Sequence, residues 1–162
     1  MNNSEQEPRI SIARLSAEDA GEVMTLQRAA YATEAQIYHD PFLPPLTQTL
    51  PELVDELEGR ALGARMGGRL VGAVRWTTEG GVTQIGRLIV APDMQGRRIG
   101  TRLLRAAEDA SGTRAFELFT GHLSEANIRL YQREGYSITR REPLHEGVDL
   151  VYLRKELDAA PA

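Results

Sequence analysis

Cysteine is absent from this 162-residue chain. That excludes disulfides, thiolate-bound metal sites and any route through a cysteine acyl-enzyme. No apolar run approaches the roughly 20 residues needed to cross a bilayer as a helix. Basic charge is not in excess: 19 Lys and Arg stand against 23 Asp and Glu, a net charge of −4, so no general nucleic-acid surface is expected. The opening residues Met1-Asn2-Asn3-Ser4-Glu5 hold neither a basic segment nor an apolar one behind it. No export signal is read there, and a cytoplasmic protein without membrane partners is expected. Two phosphate signatures are missing as well. A Walker loop needs a lysine before its Ser or Thr, and Gly100-Thr101 has none; the dinucleotide pattern G-x-G-x-x-G does not occur.

The composition that remains is globular, 41% apolar and 26% charged. Such a chain is long enough to bury a core. The pattern predicts one domain over 1–162, with its core at about 8–157, a polar loose start at 1–8 and a frayed tail at 158–162. Element order is read as β-α-α-β-β-β-α-β-α-β-β. Ile10 to Leu15 alternates as a strand, and Ser16 with Asp19 pairs as a helix cap. The helix that follows buries Val23, Leu26, Ala30 and Tyr31, and its pattern fails after Ala35. Tyr38 to Leu46, with three prolines, reads as a loop too apolar to be a tether. Thr49-Leu50-Pro51-Glu52 is a capping box opening a second helix that Gly59 closes. Gly67-Gly68 and Gly80-Gly81 turn three strands into an antiparallel meander.

The chain is organised around Ile85 to Glu108. Gly86-Arg87-Leu88-Ile89-Val90 has the run of a central strand, and Pro92 stops it. Gln95-Gly96-Arg97-Arg98-Ile99-Gly100 leads into a helix whose Ile99, Leu103, Leu104 and Ala107 recur at helical spacing. A helix start offers unpaired N–H groups and partial positive charge, so it can seat an anion; Arg97 and Arg98 add to that charge. Alone, the stretch is equally an ordinary strand-turn-helix with surface arginines. A second block follows. After the strand at 116–120, Ser124 reads as an N-cap and Gly135 as a C′ residue. Between them Asn127 and Tyr131, four apart, share a helix face.

Together these blocks resemble the GNAT superfamily of acyl-CoA-dependent N-acyltransferases. Its pyrophosphate loop runs Gln/Arg-x-x-Gly-x-Gly/Ala; here Gln95 and Gly100 match, and Arg98 stands at the middle glycine. Its last block, an Asn, then Leu-Tyr, then Gly-Phe/Tyr, is matched by Asn127, Leu130-Tyr131 and Gly135-Tyr136. The resemblance covers Ile85 to Tyr136. It implies a mixed α/β fold: a central mixed sheet of about seven strands with about four helices. The strands at 82–90 and 115–120 would splay apart to hold acyl-CoA. By position Leu88, Ile89 and Val90 would hold the pantetheine arm, Gln95, Gly96, Arg97, Arg98, Ile99, Gly100 and Thr101 the pyrophosphate, and Asn127 the pantetheine end.

The implied activity is acetyl transfer from acetyl-CoA, as co-substrate and with no metal, to the primary amine of a small molecule or peptide. A non-catalytic acyl-CoA-binding module of the same fold is the alternative. A homodimer is compatible with the family resemblance. Tyr131 is expected as general acid, since tyrosine's pKa of about 10 lies above a thiol's of about 8.5. Many relatives carry a glutamate on the strand at 82–90, and this chain has none there. Glu34, His39, Asp40, His122 or a water is left as base. The acceptor is expected over Tyr31 to Leu46, with Tyr31, Glu34, Tyr38 and Asp40 near it. Arg87 either binds an acidic acceptor group or pairs with a glutamate.

Overall fold

The computed structural model describes residues 9–158, so the loose start read at 1–8 and the tail from 159 lie outside the described residues. Seven strands form one mixed sheet: β1 (Ile10–Arg14), β2 (Ala61–Met66), β3 (Arg69–Glu79), β4 (Val82–Val90), β5 (Ala115–Gly121), β6 (Ser137–His145) and β7 (Val148–Glu156). Their spatial order is β1-β2-β3-β4-β5-β7-β6. Only β4 and β5 run parallel. Five helices accompany them: α1 (Ala20–Tyr38), α2 (Pro44–Thr47), α3 (Leu50–Leu57), α4 (Ile99–Ser111) and α5 (Glu125–Arg133). This is the mixed α/β architecture expected.

Two elements differ from the expectation. Helix α1 runs past Ala35 to Tyr38, and His39 ends it at φ 52°. Its last turn is held by tertiary contact: Leu123 N–H donates to the Tyr38 hydroxyl at 3.1 Å. The proline-rich segment contains a short helix, α2. Pro44 and Pro45 fill its first positions, where proline's missing N–H costs nothing and its φ is already helical. That makes five helices rather than about four. The caps hold elsewhere. Thr49 and Glu52 exchange side-chain and backbone bonds at the start of α3, and the Ser16 N–H donates to Asp19 Oδ2 at 2.8 Å ahead of α1.

The core lies between β2, β3 and β4 and the helices on either face. Ile99, Leu103, Leu104 and Ala107 of α4 are buried, as their spacing predicts. Each fully buried leucine stabilises the fold by about 1.5–3 kcal/mol. Gly72 on β3 lets α4 come this close: a Cβ there would lie 2.7 Å from Leu103 and 2.9 Å from Ile99.

The register of β4 prepares the site. It pairs with β5 only at Val82↔Ala115, Thr83↔Phe116 and Gln84↔Glu117. Beyond Gln84 the two strands part, so the β4 edge facing β5 has no strand partner. On its other side β4 carries a bulge. Arg75 pairs with Gly86 and Ala73 with Ile89, so Arg87 and Leu88 together oppose Val74.

Candidate active site

The parted strands open into a cavity of about 380 Å³ between β4, the β4–α4 turn, α1 and α5. Leu88, Ile89 and Val90 line it, with Gln95, Gly96, Arg98, Ile99, Gly100, Thr101 and Asn127. Arg97, expected among them, is exposed and does not line the cavity. Tyr31 and Glu34 of α1 and Leu130 and Arg133 of α5 close the walls. The turn has the backbone of an anion seat. Gly96 sits at φ 78° and Arg98 at φ 61°. The Arg98 value is the left-handed conformation that glycine takes freely and other residues take at a cost. This explains the resemblance's one mismatch: the position calls for glycine, and arginine occupies it strained while adding charge. A Cβ on Gly100 would make only ordinary contact with Leu130 and Val90. Gln95 Nε2 donates to the Val90 carbonyl at 3.2 Å, tying the turn to the strand end.

Helix α5 brings Asn127 to the cleft and holds Tyr131 beside it, lining neither cavity. Asn127 is half-buried, with its Nδ2 3.4 Å from Thr120 Oγ1. Tyr131 is buried, its ring 6.1 Å from that of Tyr136. Among the described residues its hydroxyl has no hydrogen-bond partner, and it is not left fully enclosed either. Burial pushes its pKa well above the ordinary tyrosine value, and Tyr31 and Glu34 add to the rise. Tyr131 is therefore protonated at neutral pH, close to two residues that line the cavity.

Glu34 is fixed by a relay that sequence reasoning did not see. Ser124 Oγ donates to Glu34 Oε2 at 2.7 Å. Tyr38 then donates to Ser124 Oγ at 2.8 Å. Ser124 is not the side-chain cap expected, because its hydroxyl is committed to Glu34. Glu34 also lines a second cavity of about 560 Å³, toward Ile37 and Leu123, so it stands where the two meet. Tyr38 lines neither and acts through Ser124.

Other expected residues are placed elsewhere. Asp40 accepts the Phe42 N–H at 2.9 Å and lies 3.8 Å from His145 Nε2, outside both cavities. Phe42 is 77% exposed, so this part of the loop covers nothing. His39 is exposed at the end of α1. His122 Nδ1 accepts the Asp149 N–H at 2.9 Å. Its remaining proton then sits on Nε2, so the outward nitrogen is a donor and not a base.

Arg87 is half-buried at φ 49° on the bulge, on the α1 face of the sheet. It stands beside Tyr31, whose pKa burial raises and the Arg87 charge pulls back. The expected pairing with a glutamate is not made: among the described residues no carboxylate lies within ion-pair distance of Arg87. Its neighbour Arg75, 5% exposed, is fully engaged. It donates to Gln27 Oε1 at 3.0 Å and lies 3.4 Å from Gln48 Oε1 and 2.8 Å from Glu56 Oε2. Burial lowers its pKa, with Glu56 opposing. The available signal for this cluster was an arginine inside the apolar run Val71 to Trp76, and a glutamine on the buried side of α1.

Among the described residues there is no group of three or more His, Asp or Glu able to hold a metal, and no helix long and apolar enough to cross a membrane.

A mixed seven-stranded sheet with an open β4 edge and a left-handed turn ahead of α4 is an architecture shared with known proteins. The sequence profile of the Acetyltransferase (GNAT) family matches residues 24–136. The chain belongs to that family. An "IAA acetyltransferase" of Azospirillum brasilense is 40% identical over 83 residues, 48% of this chain. That match spans 54% of the relative, about half its length. The PaiA N-acetyltransferase of Thermoplasma acidophilum, solved with coenzyme A, superposes with a TM-score of 0.79 at 21% identity, covering 92% of this chain and 99% of that one. An IAA acetyltransferase of Bacillus cereus is 25% identical with a TM-score of 0.66, covering 92% and 100%. YncA of Salmonella typhimurium, solved with acetyl-CoA, reaches 0.74 at 18% identity, covering 95% and 97%.

Proposed function

We propose that this chain is a single-domain N-acetyltransferase. It moves an acetyl group from acetyl-CoA directly to a primary amine of a small molecule or peptide, with both bound together. One observation carries this: the unpaired β4 edge, the positive turn and the carboxylate of Glu34 meet at one cavity, with the protonated Tyr131 close to Tyr31 and Glu34, which line it. When bound, acetyl-CoA supplies an activated acyl group as a thioester. The residues present fit it. A free strand edge offers backbone N–H and C=O groups to an extended amide chain, as a further strand would. The helix start with Arg98 and Arg133 offers donors and charge to phosphates.

Each remaining role falls to this chain's own groups. Backbone N–H groups near Ile89 and Val90 stabilise charge gathering on the carbonyl oxygen. Tyr131 holds a proton toward the leaving sulfur. Burial weakens it as an acid, but the same burial disfavours a thiolate, so the two stay matched. Glu34 takes the proton of the incoming ammonium on Oε1, which is free among the described residues, while Ser124 holds Oε2. An amine of pKa about 10.4 is only about one part in a thousand neutral at pH 7, so such a base matters.

The test has two arms. Calorimetry should show acetyl-CoA binding that Gly100→Glu abolishes, by placing bulk and negative charge at the turn. Thiol release with a panel of amines should fall in Glu34→Gln, with the acetyl-CoA KM unchanged. Absence of binding at millimolar ligand overturns the cofactor site. Binding without thiol release from any amine would instead establish the non-catalytic acyl-CoA-binding module.

A further inference from the structure

Four observations around β4 are unused by the mechanism above. Arg87 is held at φ 49°, on a bulge where glycine is the residue at ease. A non-glycine residue there costs stability and persists where the surroundings over-determine it, often at a ligand site. Its charge is half-buried and has no carboxylate partner among the described residues. Buried cations are ordinarily paired. Neighbouring Arg75 already has Glu56, Gln27 and Gln48, so it offers Arg87 only repulsion.

The residue beside Arg87 leaves room. Gly86 lies in the middle of the sheet, yet it is exposed, and a Cβ on it would meet nothing within 4 Å. A glycine in a strand interior marks close approach by something else. Gly86 pairs with Arg75, so this gap opens on the α1 face, the side of Tyr31 and Arg87.

Opposite charge also lies near Tyr31, to which Arg87 itself hydrogen-bonds. Glu34 is one helical turn along α1 from Tyr31 and lies near its hydroxyl, as Arg87 does. Glu34 and Arg87 do not pair with each other. Two opposite charges flank one tyrosine, each with bonding capacity left, beside an open gap. That pattern complements a molecule carrying both an ammonium and a carboxylate.

We propose that the acceptor is an amino-carboxylate, its carboxylate held by Arg87 in the space over Gly86 and its amine presented to Glu34. This rests on the N-acetyltransferase reading and names its substrate class. Recognition by guanidinium is charge-assisted and directional, so the analogue lacking the carboxylate is rejected.

The experiment compares L-amino acids with their carboxamides, which keep the amine and lose the negative charge; the amide's amine is also the less basic, which by itself favours the amide. In thiol release with acetyl-CoA, the acids should exceed the amides by about 10- to 100-fold in kcat/KM. Arg87→Met should erase that preference by raising the acceptor KM, with the acetyl-CoA KM unchanged, and Arg87→Lys should restore part of it. Arg87→Gly suits the left-handed backbone, so it should fold at least as stably and still lose the preference. Gly86→Val fills the gap without altering charge and should weaken acids most. A binding arm works without turnover: calorimetry of the same acids and amides against the coenzyme A-bound protein should show the same preference. Amides bound and used as well as acids, or a preference that survives both Arg87→Met and Gly86→Val, would overturn the proposal. Loss of turnover with every amine, while acids still bind better than amides, would sink the catalytic reading and leave this site standing.

Discussion

The two sides of β4 are built by opposite means. Toward α4 the site is backbone: an unpaired strand edge, a left-handed turn and the first N–H groups of a helix. Two charged pairs on this side keep their arginines at the surface, Arg69 with Asp93 and Arg105 with Glu134. Toward α1 the site is side chains: Arg75 buried among Gln27, Gln48 and Glu56, Arg87 left open, and Glu34 tied to Ser124. On the proposed function, the difference follows from what each side would meet. A cofactor of fixed chemistry is bound by main chain, which tolerates sequence change. An acceptor is chosen by side chains, and each must be held in place by others.

Replacing Tyr131 by Phe tests the junction of the two sides and should have the largest effect. It keeps the buried ring and removes only the hydroxyl. A lost general acid costs about 10²–10⁴ in kcat, with acetyl-CoA affinity unchanged. Turnover equal to the parent would reduce Tyr131 to packing between the helices and leave the leaving sulfur to water.

Arg75→Met comes next and separates the sides by stability. Gln27 is fully buried, and its Oε1 would lose its donor. A buried acceptor left alone costs about 1–3 kcal/mol. The melting temperature should fall and the acceptor KM rise, because α1, α2 and α3 lose their common anchor. Acetyl-CoA affinity should hold. An equal loss of acetyl-CoA affinity would show that the two sides are not separable.

The same contrast explains what the sequence could tell. Strands and helices were legible because burial imposes its period on apolar residues, as at Leu103, Leu104 and Ala107. The residues of the proposed cofactor side are contiguous, which is why sequence could group them: Gln95 to Thr101 lie in one turn, and Asn127 and Tyr131 share one helix face. Arg98 was puzzling as letters and is plain as geometry, since its φ of 61° shows why glycine suits the position. The proposed acceptor side draws Glu34 from α1, Arg75 from β3, Arg87 from β4 and Ser124 from the start of α5. No spacing rule joins residues that meet only through tertiary packing. His122 and Asp40 had suitable chemistry but were already bonded to backbone N–H groups, which a sequence does not display. The end of α1 was misplaced for a like reason: Tyr38 is helical because its hydroxyl reaches the β5–α5 turn.

The smallest expected effect lies on the cofactor side, in the pair joining α4 to the end of α5. Glu134 takes Arg105 Nε at 2.7 Å and Nη2 at 3.0 Å. The Arg105 bond holds the Glu134 carboxyl below its ordinary value, with burial opposing. The folded state therefore gives up this proton at lower pH than the unfolded chain does. The resulting stability is fully present above the ordinary glutamate pKa and is lost as pH falls through the lowered one. Arg105 is 65% exposed at the side chain, so screening keeps the gain below about 1 kcal/mol. Glu134→Gln should thus lower the melting temperature slightly at pH 7. That difference should shrink at pH 3 and in molar salt. The Arg75 variant loses a buried neutral partner, Gln27, as well as the half-exposed Glu56, so it should keep most of its deficit in salt. A Glu134→Gln deficit that is large and indifferent to salt would mean that the cofactor side, too, depends on buried side-chain bonds, and the contrast between the two sides of β4 would fail.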